Sequence, residues 1–160
     1  MKFISNHSKT QLMLLVWSSP KPVTVASHYF WAAGESLQNS QTGLMRTLLY
    51  EVLRQCPAYM PIVCPIQWQQ MTCKGRSAPV WTYTKLMEAI KGLAGQTDLP
   101  TRFCFFIDGM DEYGDEHHEL CAALRGLSLS SYIKLCVSSR PLNVFRDNFG
   151  QDKISRRSGD

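Results

Sequence analysis

Three carboxylates crowd the end of one apolar run: Phe103-Cys104-Phe105-Phe106-Ile107 leads into Asp108, and Asp111 and Glu112 follow at once. A continuous apolar run of this kind reads as a central parallel strand covered on both faces. Ligand sites in parallel sheets lie just beyond the carboxyl ends of the strands. Asp108 is therefore placed to act on a magnesium ion, directly or through its water. Asp111 and Glu112 then face the space where an attacking water is oriented or deprotonated. Gly109 lets the chain turn there at little steric cost. Acids this close repel one another in a partly dry pocket, and a divalent cation or a cationic partner relieves the repulsion. A second apolar run, Ile133 to Val137, ends in Ser138-Ser139-Arg140. On this reading Ser139 and Arg140 reach the same side of the sheet, where Arg140 pairs with a terminal phosphate and senses its presence.

Other chemistries compete for the same residues. An apolar strand followed by Asp-Gly also makes a plain turn, and an acid-rich loop is often only solvated. A magnesium-binding Asp-x-x-Asp-Glu occurs in prenyl-chain enzymes too, but on a helix of an all-α fold. Phosphatases with an aspartyl nucleophile use Asp-x-Asp, which Asp108-Gly109-Met110 does not supply. Two polar strand ends in this order favour nucleotide chemistry over a chance turn.

The elements that must position these residues follow from periodicity. Residues 1–17 read as helical with an interruption at Asn6-His7-Ser8, closed by Ser18-Ser19-Pro20-Lys21-Pro22. Val23 to Trp31 is rich in β-branched and aromatic residues and reads as a strand. From Ser40 to Gln55, Leu44, Leu48 and Val52 form one row of a helix, with Met45, Leu49 and Leu53 beside it. Ala58 to Val80 carries several prolines and reads as an ordered crossover, because Ile62, Val63, Ile66 and Trp68 are too apolar to stay in water. Helices are expected over Thr82 to Leu93 and His117 to Leu127. Strands separated by helical crossovers predict an α/β fold with a mostly parallel sheet.

A chain of 160 residues, 44% hydrophobic and 19% charged, is one domain's worth of an ordinary globular protein. Its net charge of +4 comes from scattered basic residues, apart from Arg156-Arg157, so no stripe suited to nucleic acid is present. The six cysteines have no metal-binding spacing relative to one another or to the four histidines. They read as reduced structural thiols, which places the chain in the cytoplasm. The run from Leu12 to Trp17 is too short to cross a membrane. Independent chemistry on His28, His117 or His118 is a weaker idea, since His117-His118 reads as a solvent-facing helix start.

At these residues the chain resembles the NACHT module of STAND P-loop NTPases, in particular fungal NLR-like proteins with a nephrocystin-like NTPase domain. The resemblance covers residues 1–152. It includes His28-Tyr29-Phe30-Trp31, Gly43-Leu44-Met45-Arg46-Thr47-Leu48-Leu49-Tyr50, Trp68, Trp81, Phe105 through Tyr113 and Ser138 through Phe145. It implies a three-layer P-loop sandwich and a signalling switch that uses ATP or GTP with Mg2+. Asp108 is then the Walker B metal residue, Asp111 and Glu112 the additional catalytic acids, and Arg140 with Ser139 the nucleotide sensor.

Two departures limit that implication. No Gly-x-x-x-x-Gly-Lys-Ser/Thr loop occurs in these residues, and the strand leading into it is missing too. After Asp152 the chain becomes a polar basic tail, residues 153–160, expected to be disordered. Without the loop's backbone amides and lysine, a triphosphate loses most of its contacts. Without the first strand, Ile133 to Val137 is expected to present an unpaired edge. The expected function is thus a fragment of a nucleotide-binding module unable to bind or hydrolyse ATP alone. The alternative is a non-catalytic interaction module, or a decayed remnant, that associates with itself or with intact relatives.

Overall fold

The computed structural model describes residues 1–73, 79–96 and 98–149. The tail at 153–160 and the domain end at 152 therefore lie outside the described residues, as does the polar segment at 74–78.

The central strand is β2, Arg102–Asp108, with all five apolar residues from Phe103 to Ile107 buried. Its side chains alternate between two cores, as the period of a strand requires. Phe103, Phe105 and Ile107 enter the large core, while Cys104 and Phe106 enter a small one on the other face. β1, Val23–Tyr29, and β3, Ile133–Val137, flank it in the order β1-β2-β3, and both pairings are parallel. The register sets Tyr29 against Asp108 and Ile107 against Val137, so the carboxyl ends of all three strands form one rim.

Helices cover both faces, giving the α/β three-layer arrangement of a partial P-loop-like sandwich. On the small face lie α1, Lys2–Ser5, and α2, Ser8–Ser18, where Leu14 and Trp17 pack against Cys104, Phe106, Val23, Val25 and Cys136. On the large face lies α3, Gln41–Gln55, whose rows Leu44/Leu48/Val52 and Met45/Leu49 are buried as their spacing predicts. Ser40 caps it, its hydroxyl accepting from the Gly43 amide at 3.2 Å. The chain then runs through α4, Met60–Val63, and α5, Pro65–Thr72, into α6, Tyr83–Ala94. α7, His117–Ser128, crosses from β2 to β3, and α8, Asn143–Phe149, follows β3. Both α7 and α8 contribute to the large core, through Leu120, Leu124 and Phe145.

The described part of the crossover after α3 inverts part of the expectation. Tyr59, Val63 and Cys64 enter the core, whereas Ile62, Ile66 and Trp68 remain exposed. Pro61 and Pro65 each sit in the first turn of a short helix, where a missing N–H costs nothing. Two such short helices expose more apolar surface than one long amphipathic helix would.

Gly43 is required by close approach. A Cβ at this position would lie 1.6 Å from the Leu37 carbonyl oxygen, which is backbone and cannot swing away. Gly43→Ala is expected to displace the loop over residues 31–40 and cost about 1–3 kcal/mol, the usual penalty of overpacking. Urea denaturation checks this, and an unchanged midpoint contradicts it.

Candidate functional site

β2 ends at Asp108, and Gly109 follows in the left-handed region with φ 71°. That conformation is open to glycine and strained for other residues. It drops the chain into a single 3-10 turn, Met110–Glu112, whose Met110 is buried while Asp111 and Glu112 face the rim. The Met110 amide donates to the Ser138 carbonyl at 3.1 Å, and Ser138 donates to Ile107 at 2.9 Å. These two bonds hold the ends of β2 and β3 together, so the sequence-predicted residues Asp108, Asp111, Ser139 and Arg140 meet at the rim.

Each acid is engaged by a different group. The Asp108 carboxylate accepts the Ser138 hydroxyl on one oxygen, and the Met1 ammonium lies 3.2 Å from the other. Asp111, only 10% exposed, holds the Arg140 guanidinium at 2.8 Å and accepts the Arg140 backbone amide at 2.9 Å. Glu112 accepts the Ala32 backbone amide at 3.0 Å, tying the loop after β1 to the same rim. The Ser139 hydroxyl donates to the Arg140 carbonyl rather than pointing outward. Arg140 is 79% exposed in its side chain, so its pairing with Asp111 is a surface-type contact worth under about 1 kcal/mol.

A magnesium site needs oxygens converging on one point, supplied by one or two carboxylates together with waters and phosphates. Among the described residues no three His, Cys, Asp or Glu side chains are grouped to hold a metal. Asp111 and Glu112 are turned to Arg140 and Ala32, and the two Asp108 oxygens are taken by the Ser138 hydroxyl and the Met1 ammonium. The residues present do not fit a resident magnesium nucleotide by themselves. Grooves of about 730 Å³ between α6 and α7 and about 400 Å³ beside β1 and α3 are lined by none of Asp108, Asp111, Glu112, Ser139 or Arg140.

Of the histidines and cysteines, His117 departs from its sequence reading. His117 is not on an open surface: it is half-buried between Tyr113 and Phe145, with ring centroids 5.7 and 5.2 Å away. Tyr113, just after the 3-10 turn, is a near neighbour in sequence, whereas Phe145 reaches it from α8 after β3. His118 is exposed. His28 is buried against Phe30, and its Nε2 has no hydrogen-bond partner. Burial pulls its pKa down to about 4. Burial also pushes the Cys104 thiol up to about 12 and the Cys64 thiol up to about 11, as expected of unreactive structural cysteines.

The fold and rim define a class: an α/β protein with an open, all-parallel sheet and an acidic loop at the carboxyl edge of its central strand. The family model described as Nephrocystin 3, N-terminal matches residues 2–140, and the chain belongs to that family. The match runs from α1 through Arg140 and so takes in every residue of the rim. No curated protein and no solved structure matches the chain.

His28 also makes a pH prediction. Its folded pKa lies below the unfolded value of 6.5, so the unfolded chain takes up the proton first. Stability is complete above pH 6.5 and is lost as pH falls from there toward 4. Urea midpoints at pH 7 and pH 5 should differ in the native chain, and by less in His28→Asn; equal pH dependence in the two contradicts the assignment.

Proposed function

We propose that this chain is part of a NACHT-type nucleotide-binding signalling module, carrying the magnesium-side acidic strand end and the sensor arginine but no loop that grips phosphates. Asp108 takes the Walker B position, Asp111 and Glu112 the additional acidic positions, and Arg140 with Ser139 the sensor position. The observation that supports this reading is the meeting of Asp111 and the Arg140 guanidinium at 2.8 Å, at the ends of adjacent parallel strands. Residues that lie 29 apart in sequence, one in the turn after β2 and one just past β3, gather at the edge where parallel sheets place their ligands.

On its own the chain neither binds nor hydrolyses ATP or GTP. Backbone amides and a lysine around the phosphates supply most of a triphosphate's contacts in this type of site, and this sequence has no loop of that form. A second reading, a non-catalytic interaction module, draws on the outer edge of β3, which pairs with no further strand among the described residues.

Purified full chain with magnesium is expected to release phosphate from ATP no faster than buffer and to give no saturable signal with a fluorescent ATP analogue. Turnover or binding that disappears in Asp108→Ala would overturn the proposal.

A further inference from the structure

The edge of the sheet along β1 is closed at two points by the chain itself and open between them. The Phe30 amide donates to the Asp108 carbonyl at 3.0 Å, and the Arg102 amide to the Pro22 carbonyl at 2.9 Å. These bonds set the phase of the parallel ladder. The backbone groups of Thr24, Ala26 and His28 therefore face β2, and those of Val25, Ser27 and Tyr29 face outward. The Gln55 side-chain amide donates to the Val25 carbonyl at 2.8 Å. Past the strand, the Trp31 amide donates to the Gln38 carbonyl at 3.0 Å. Between these two closures the outward amides and carbonyls of Ser27 and Tyr29 have no partner among the described residues. The opening lies across β2 from β3, so a strand laid beside β3 does not cover it.

The groove of about 400 Å³ beside β1 and α3 opens on this stretch, with Ser27 and Tyr29 on one wall and Thr47 and Tyr50 on the other. Tyr29 and Tyr50 are 39% and 62% exposed, and Trp31, at the far closure, is 54% exposed. Tyrosine, tryptophan and arginine are the residues that most often anchor a partner. His28 lines the same groove, and its Nε2 is a buried polar atom left without a hydrogen bond. Arg46 on α3 completes the lining and is exposed. The other described arginines are all engaged: Arg54 by Glu51, Arg102 by the Trp17 carbonyl, Arg125 by the Asn148 carbonyl, Arg140 by Asp111 and Arg146 by Asp147. Among the described residues Arg46 alone of the arginines has no partner.

We infer that this groove binds an extended acidic peptide, which adds to the edge of β1 as a further strand. Only another strand satisfies outward amides and carbonyls at this spacing, and in such complexes main-chain bonds supply affinity while alternate side chains supply specificity. From Val25 to Trp31 the edge runs about 20 Å, room for a strand of about five residues. Side chains on the α3 side of that strand meet Thr47, Tyr50 and Arg46, and the unpaired guanidinium selects a carboxylate there. The inference requires nothing of Asp108, Asp111 or Arg140, so it stands or falls apart from the nucleotide proposal.

Fluorescence anisotropy of the full chain with the labelled peptide fluorescein-Gly-Thr-Val-Glu-Val-Thr-amide tests it. Two control peptides carry Lys in place of Glu, or N-methyl groups on alternate backbone amides. The glutamate peptide is expected to saturate below about 1 mM. The lysine peptide is expected to bind about tenfold more weakly, because a repulsion replaces an attraction, and the N-methylated peptide not at all. Arg46→Glu, which alters only an exposed side chain, is expected to prefer the lysine peptide. Amide exchange at Ser27 and Tyr29 is expected to slow about tenfold or more when the glutamate peptide is added. No saturable binding, equal binding of the N-methylated peptide, or a preference for glutamate that persists in Arg46→Glu overturns the proposal. Sedimentation equilibrium of the chain alone reports the other occupant: a dimer that dissociates in Arg46→Glu assigns the groove to a second copy and also overturns it.

Discussion

Everything at the rim depends on β2 being buried on both faces. Phe103, Phe105 and Ile107 anchor one core and Cys104 and Phe106 the other, so the strand can neither rotate nor slip by a residue. A one-residue shift would exchange the contents of the two faces and put three large side chains where the small core holds two. Loss of a single buried phenylalanine such as Phe105 costs about 3–5 kcal/mol. That rigidity fixes where Asp108 ends the strand, and the left-handed Gly109 fixes where Asp111 and Glu112 turn.

The electrostatic problem of three neighbouring acids is solved locally. Asp108 takes the Ser138 hydroxyl, Asp111 the Arg140 guanidinium and Glu112 the Ala32 amide. Ser138 and Arg140 follow β3 and Ala32 lies beyond β1, so the acids also act as ties: Asp108 and Asp111 bind the ends of β2 and β3, and Glu112 binds the loop beyond β1. A rim built this way holds its shape without a ligand. The same contacts leave few free oxygens for a cation.

How much of this could be read from sequence depended on the range of the interactions. The strand Ile133–Val137 and the helix from Gln41 were legible because an unbroken apolar run and two i, i+4 rows are local signals. The candidate residues at the rim were legible for the same reason, as strand ends followed by acids or arginine. Their partners were not: nothing local tells Glu112 to reach the Ala32 amide, or Asp108 to take the Ser138 hydroxyl. His117 read as exposed because the rings that cover it belong to Tyr113 and to Phe145 on α8, a helix the pattern did not announce. In the proline-rich crossover, helices of four and eight residues are too short for periodicity to say which apolar side faces inward, and Ile62, Ile66 and Trp68 went to the surface.

The central claim is that the rim acids are already satisfied by the chain's own groups. A magnesium titration followed by the backbone amide resonances of Gly109, Asp111, Glu112 and Arg140 tests it most directly. At millimolar magnesium the expected shifts are small, linear and non-saturating, and equal in the native chain and in Asp108→Asn. A saturable shift shared by all four amides and abolished in Asp108→Asn would contradict it.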